Sequence, residues 1–348
     1  MSSDAQIKTV ITHITKHPNA DNLDIVSVYG EGGFACIVRA GDFKLGDVAA
    51  YFPFDSLLPV DRPEFAFLAD RGAKFYPIDP ARLRHRVRAT KLRGVFSVGI
   101  LLKSDAPPDT DVTDFYEVLR YEAPEGSAGD TVSGPGIPKY DIENMRKHSN
   151  WFNEGERVLI TEKIDGQNFR VGLAPDKDGG TQFIVGSRTR FVAKDGQSAW
   201  ARATQIGKLE EAFRALEQSP EGFPYVFYGE VFEPQGQSIQ VCWFDVLDVS
   251  AAGFRTWLSV GAAQRQWARL SAQVRTLGGV AFPWAPELYC GPWLGLAEHA
   301  PLAEGRASVW DKVREGIVVR PMVEQEVRIG QRKILKLHGQ GYLLKIKE

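Results

Sequence analysis

The sequence predicts an α+β protein, with a small β-barrel at the amino terminus and a larger mixed domain behind it. Three observations carry that expectation. Residues 1–121 hold short β-branched runs at close spacing with glycine turns between them, as small barrels do. Residues 122–138 are rich in Gly, Pro, Ser and acidic side chains and read as a linker. Residues 139–348 mix strands and helices without the regular alternation of a doubly wound sheet. A length of 348 residues, 43% of them hydrophobic, suffices for two packed cores.

In chain order, Ile25-Val26-Ser27-Val28-Tyr29 and Ala35-Cys36-Ile37-Val38-Arg39 are strand-like, and Gly30-Glu31-Gly32-Gly33 turns the chain between them. Residues 48–52 and 95–102 are further strands. Between these, Arg82, Arg84, Arg86 and Arg88 recur at every second residue, which on a strand puts all four on one face. Lys91 and Arg93 follow. Like charges in a row call for something anionic opposite them. The row is therefore a candidate for phosphate and nucleic-acid binding; a charged edge strand that resists aggregation is the alternative.

Past the linker, residues 139–146 read as a short helix. Val158-Leu159-Ile160 and Phe169-Arg170-Val171-Gly172-Leu173 read as strands joined by a tight Asp165-Gly166 turn. Strands follow at 183–185, 225–228, 241–244 and 316–319, and helices at 198–218 and 262–277.

A net charge of −2 gives no overall basic character, so any nucleic-acid contact has to be local. No apolar run reaches membrane-spanning length and the start carries no apolar signal region, so no membrane association is expected. Cys36, Cys242 and Cys290 are scattered, odd in number and without metal-ligand spacing, which fits a reducing cytoplasm. Nothing signals an oligomer, and a monomer is the default expectation.

The chemistry centres on Thr161-Glu162-Lys163-Ile164-Asp165-Gly166-Gln167-Asn168-Phe169. A lysine at a strand end, two residues before a turn, can project into a cleft and act as a nucleophile. Its amine attacks only when neutral. Its pKa in water is about 10.4, so partial burial and neighbouring cations would have to lower it. An exposed hairpin with a solvated lysine is the alternative. Downstream come Gly186-Ser187-Arg188, Phe227-Tyr228-Gly229-Glu230, Trp243-Phe244-Asp245-Val246, Arg314-Glu315-Gly316-Ile317-Val318-Val319-Arg320 and Ile334-Leu335-Lys336-Leu337-His338, in that order.

Taken together, this ordered set resembles the covalent nucleotidyltransferase superfamily, and within it the ATP-dependent RNA ligases. Their pattern is Lys-x-Asp/His-Gly, Ser-Arg, Gly-Glu, Phe-Asp-hydrophobic, Glu-Gly-hydrophobic-Val and a lysine-bearing strand. Glu162 before the lysine and Asn168-Phe169 after the glycine resemble the RNA-ligase version. His17-Pro18-Asn19-Ala20-Asp21-Asn22-Leu23 and Ala40-Gly41-Asp42-Phe43-Lys44-Leu45-Gly46-Asp47 resemble OB folds of the tRNA-binding type. An OB module placed first is similar to the family 5 RNA ligases. The resemblance implies an OB-type barrel followed by an ATP-grasp-like adenylyltransferase domain on antiparallel sheets.

It also implies roles. Lys163 would attack the α-phosphate of ATP, release pyrophosphate and remain as lysyl-AMP. Glu162 would accept a hydrogen bond from the adenine amino group, Phe244 would stack on the base, and Glu230 would hold the ribose hydroxyls. Asn168 would orient a phosphate, and Arg188 would take the 5′-phosphate of the nucleic acid. Glu315 would bind Mg2+ or Mn2+, and Lys336 would contact the AMP phosphate while helping to keep Lys163 neutral. Asp165 would cap its turn, while Arg190 and Arg320 divide evenly between surface and functional roles. His338 stands where the family usually carries a second lysine, and a phosphate contact there would weaken as imidazole deprotonates. The implied reaction joins a 3′-hydroxyl to a 5′-phosphate at breaks in duplexes with RNA on the 3′-hydroxyl side, an RNA repair. The amino-terminal domain and its arginine row would clamp the duplex. A DNA ligase or capping guanylyltransferase, and a non-catalytic binder of structured RNA, are the alternatives.

Overall fold

The computed structural model describes residues 7–121, 131–176, 178–250 and 255–345. Residues 122–130 of the expected linker lie outside that set. The chain divides into two compact units, Met1–Pro124 with Gln340–Glu348, and Glu125–Gly339. Residues 131–138 therefore belong to the second unit, not to a linker. Thr131–Val132 pairs with Phe191–Val192, and Ile137 is buried. The last helix, Gln340–Lys345, groups with the first unit although it follows the second unit in the chain. Among the described residues, no helix is long and apolar enough to cross a membrane.

The first unit is built from short, mostly antiparallel strands. Leu23–Val28 pairs along its length with Phe34–Arg39, and Tyr29 and Gly30 take left-handed backbone in the turn that joins them. The expected 95–102 strand is two strands, Val95–Ser97 and Ile100–Lys103. The break is Gly99, at φ 100, where an added Cβ would lie 2.2 Å from the Tyr51 ring. Two apolar clusters fill the unit, one around Val26, Val28, Cys36 and Tyr51, the other around Phe52, Leu58, Phe65, Val87 and Tyr116.

The arginine row lies on the Asp79–Arg86 strand, which runs between Ser56–Pro59 and Lys74–Tyr76 and is no edge strand. The anions opposite it are the protein's own. Arg82 pairs with Asp61 at 2.9 Å, Arg84 with Asp79 at 2.7 Å and Arg86 with Asp55 at 2.7 Å. Arg84 also donates to the carbonyls of Leu57 and Glu117, and the Arg86 guanidinium sits 3.5 Å over the Tyr121 ring. Arg84 and Arg86 are buried, and Arg88 lies half-buried just past the strand end. The expectation of a phosphate-facing row is corrected for Arg84 and Arg86: buried guanidinium groups need partners, and internal carboxylates supply them.

Among the described residues the second unit holds two large sheets and a two-stranded one, Glu326–Arg328 with Gln331–Arg332. The seven-stranded sheet runs Thr131–Val132, Phe191–Val192, Thr181–Gly186, Gln167–Pro175, Tyr225–Phe232, Gln240–Asp248, Thr256–Trp257. Phe169, Phe227 and Trp243 from it share a core with Trp200, Phe213 and Leu270 of the helices. The expected 198–218 helix is broken in two, Ala199–Ile206 and Leu209–Glu217, at Gly207 and a left-handed Lys208. Ser198 caps the first by accepting the Ala201 N–H. The third helix is Val260–Thr276.

The five-stranded sheet runs Glu143–Asn144, Leu335–His338, Gly316–Pro321, Arg157–Lys163, Glu287–Pro292. Residues 139–146 are thus not helical, because Glu143 and Asn144 pair in parallel with Leu335 and Lys336. The strands on either side of Asp165-Gly166 do not pair with each other either. Arg157–Lys163 lies in the five-stranded sheet and Gln167–Pro175 in the seven-stranded one. The turn carries the chain from one sheet to the other instead of closing a hairpin. It admits only glycine at 166, where a Cβ would lie 2.7 Å from the Val231 carbonyl oxygen.

Candidate active site

Strand register builds the first wall of the site. Lys163 lies opposite Gly316, which lies opposite His338; Thr161 lies opposite Val318, which lies opposite Lys336; Leu159 lies opposite Arg320. Side chains alternate along a strand, so these residues share one face. The other face carries Val158, Ile160, Ile317, Val319, Leu335 and Leu337 into a buried core with Met145, Phe152 and Trp293. Lysine at 163 and 336 therefore follows from a period-two pattern whose apolar half anchors the sheet.

The seven-stranded sheet supplies the second wall. Asn168 lies opposite Glu230. Tyr228 pairs with Asp245 but Gly229 pairs with Trp243, which leaves Phe244 as the extra residue of a β-bulge. A bulge turns one side chain away from the alternation. Here Trp243 goes into the core and Phe244 lines a cavity. Lys163, Glu162, Asn168, Arg188, Glu230, Phe244, Arg320 and Lys336 all line that same cavity.

Its electrostatics centre on Lys163, whose Nζ donates to Glu315 Oε1 at 2.6 Å. Burial alone would lower the Lys163 pKa, but the Glu315 and Glu230 carboxylates outweigh it and raise it above the ordinary lysine value. This corrects the expectation of a depressed amine in the ligand-free chain: the neighbouring carboxylates outweigh burial. Glu315 is also 3.5 Å from His338 Nε2. Burial, with Lys163 and Lys336 adding to it, takes His338 below its usual value against the pull of Glu315, so the ring does not replace a lysine as a cation at neutral pH. Burial pushes Glu230 up to about 8, with Lys163 opposing. Arg188, half-exposed after the Thr181–Gly186 strand, bonds Asp141. Arg320 and Arg332 pair with the buried Asp245, and Asp165 lies 3.6 Å from Lys312.

Among the described residues no group of three or more His, Cys, Asp and Glu is arranged to hold a metal. A site for Mg2+ or Mn2+ does not need such a group. Such ions take one or two carboxylates and complete their shell with water and phosphate oxygens.

A family model described as RNA ligase matches residues 156–338, more than half of the chain. The chain belongs to the RNA ligase family. An OB-fold domain model matches residues 5–104, so this RNA ligase carries an amino-terminal OB fold before its α+β ligase unit. No curated protein matches it significantly. Solved structures of a Naegleria gruberi RNA ligase share the fold. A lysine-to-alanine mutant with ATP and Mn has a TM-score of 0.79 at 21% identity, covering 98% of each chain. The form with PPi gives 0.79 at 21%, covering 97% of each. A glutamate-to-alanine mutant with AMP and Mn gives 0.79 at 21%, covering 97% of this chain and 98% of that one.

Sequence reasoning did not single out several residues of this ligase's cavity. Tyr140, Asp141 and Ile142 line it from the segment expected to be helical, and Trp284 lines it from a loop. Tyr140 packs 4.8 Å from the Phe244 ring and donates to Asp245 at 2.8 Å. Ser308 reaches Glu162 from the stretch before the Gly316–Pro321 strand. Common residue types in irregular segments carry no local signal. Only the long-range fold brings them here.

Proposed function

We propose that this chain is an ATP-dependent ligase that joins 3′-hydroxyl to 5′-phosphate ends and seals breaks in duplexes whose 3′-hydroxyl strand is RNA. One observation carries the reading: the separate sequence motifs converge on one cavity between two sheets, with Lys163 at the crossing. The Naegleria ligase of the same fold has been solved with ATP and Mn, with AMP and Mn, and with PPi.

In this reading Lys163 Nζ attacks the α-phosphate. A P–N bond forms, the bond to the β-phosphate breaks, and pyrophosphate leaves. The Nζ proton has to leave first, and in the ligand-free chain it is held by Glu315 Oε1 at 2.6 Å, so the amine is released for attack only when that ion pair opens. Phe244 and Glu162 hold the base. Glu230 Oε2 is buried without a hydrogen-bond partner among the described residues, as an acceptor for a ribose hydroxyl would be. Lys336 and Asn168 face the phosphate, and Arg188 exchanges Asp141 for the 5′-phosphate of the nucleic acid. Glu315, with water, would hold Mg2+ or Mn2+, which when bound neutralises phosphate charge. In the OB unit, with Arg84 and Arg86 buried, the exposed Lys91 and Arg93 of the 90–97 hairpin are the basic groups offered to nucleic acid.

The test uses ATP labelled at the α-phosphate and nicked duplexes with RNA or DNA on the 3′-hydroxyl strand. Wild type should form a covalent AMP adduct and seal the RNA-containing nick, and Lys163→Ala should do neither. Equal sealing of the DNA nick would make it a general ligase. Absence of any adduct would reject the reading.

A further inference from the structure

We infer that Ser308 is a specificity-determining positioning residue: by holding the Glu162 carboxylate, it sets the preference for a base that carries a 6-amino group. The inference rests on the adenylylation reading above and goes beyond it. Register along the Arg157–Lys163 strand gives Glu162 the parity of the buried Val158 and Ile160, not that of Lys163. Its carboxylate is buried, and a buried carboxylate is costly unless several donors meet it. The donors come from one segment, residues 305–314. The Ser308 N–H bisects the carboxylate, 3.0 Å from Oε1 and 2.9 Å from Oε2. Ser308 Oγ donates to Oε2 at 2.5 Å. Arg314 Nε lies 3.3 Å from the same oxygen, and its Nη1 donates to the carbonyls of Leu302 and Glu304.

The donors are thus unequally shared. Oε2 accepts from Ser308 Oγ and shares the Ser308 amide, with Arg314 Nε an ion-pair neighbour that makes no hydrogen bond to it, whereas among the described residues Oε1 meets only the shared amide. A carboxylate oxygen has two acceptor directions, so Oε1 keeps one for a ligand. A hydroxyl that fixes the rotation of the carboxylate fixes where that direction points.

The segment is itself anchored. Arg306 bridges to Val313, the Ala307 N–H donates to the Lys312 carbonyl, and the Arg314 N–H donates to the Gly305 carbonyl. The Trp310 ring packs 4.9 Å from Phe232, and Lys312 pairs with Asp165. The segment grips the chain on both sides of the nucleophile, at Glu162 before it and Asp165 after it. That is the arrangement expected of an element that aligns the base-reading group with the attacking amine.

The experiment measures KM for covalent adduct formation with ATP and with purine riboside triphosphate, which lacks the 6-amino group. KM does not depend on the fraction of folded protein. Wild type should prefer ATP. Ser308→Ala should raise KM for ATP by roughly 10-fold or more, the loss of a hydrogen bond to a charged group, and leave KM for the purine analogue nearly unchanged. Ser308→Thr, which keeps the hydroxyl, should retain the preference. An equal rise in KM for both nucleotides in Ser308→Ala would overturn the inference and leave Ser308 a structural residue. So would a wild type that accepts both nucleotides equally. A wild type that forms no adduct with either would remove the adenylylation reading, and this inference with it.

Discussion

Glu230, in the wall of the cavity, favours the neutral acid. Buried, with one oxygen lacking a hydrogen bond among the described residues, its carboxyl is pushed up to about 8 by burial, with Lys163 opposing. An unfolded glutamate titrates near 4.3. The fold therefore favours the protonated form, and stability falls as pH rises from about 4.3 towards about 8, then levels off. Glu230→Gln has no proton to lose. Wild type should lose stability relative to this variant between pH 4 and pH 9, measured by urea unfolding at both; a constant difference would show that Glu230 does not titrate with folding. Lys163, Glu230 and Phe244 could be named from sequence because each sits in a short motif whose order is diagnostic. Ser308 and Trp284 could not, since a serine and a tryptophan outside such motifs carry no positional information.

At the level of strands, Asp245 ties the two sheets together. It is fully buried on the Gln240–Asp248 strand, 3.1 Å from Arg320 of the other sheet and 2.8 Å from Arg332. Burial alone would raise its pKa, but Arg320 and Arg332 outweigh it and hold it below the ordinary carboxylate value. The stabilisation is present above the unfolded pKa of about 3.9 and is lost as pH falls through the depressed folded value. Asp245→Asn leaves Arg320 and Arg332 sharing Glu324 as their remaining anion and should cost about 1.5–3 kcal/mol at pH 7, the loss of hydrogen bonds to a charged group. That deficit should shrink as the pH is taken well below 4 in denaturant titrations. A deficit that stays constant with pH would mean the charge is not what Asp245 contributes. Such ties explain where sequence reasoning stopped. Strand and helix tendencies were legible at 225–228, 241–244, 316–319 and 262–277, because hydrophobic period is local. The Asp165-Gly166 turn signals that the chain bends but not which sheet the next strand joins. Residues 143–144 became a strand because Leu335 and Lys336 pair with them, and no local pattern announces a partner so far along the chain.

For the molecule as a whole, two units with separate cores should unfold in two steps, and the cavity lies wholly within Glu125–Gly339. Saturating ATP should move one calorimetric transition upward, by about 2.7 kcal/mol at 100 times the dissociation constant, and leave the other in place. A single transition that shifts as one would show that the units unfold together. The small barrel and the mixed unit were both foreseeable from strand spacing and motif order. The return of Gln340–Lys345 to the first unit was not, because six residues of helix look the same wherever they dock. That return bears on synthesis. A ribosome adding about 5–20 residues per second releases this helix only after the whole of Glu125–Gly339, so the first unit to emerge is the last to be completed.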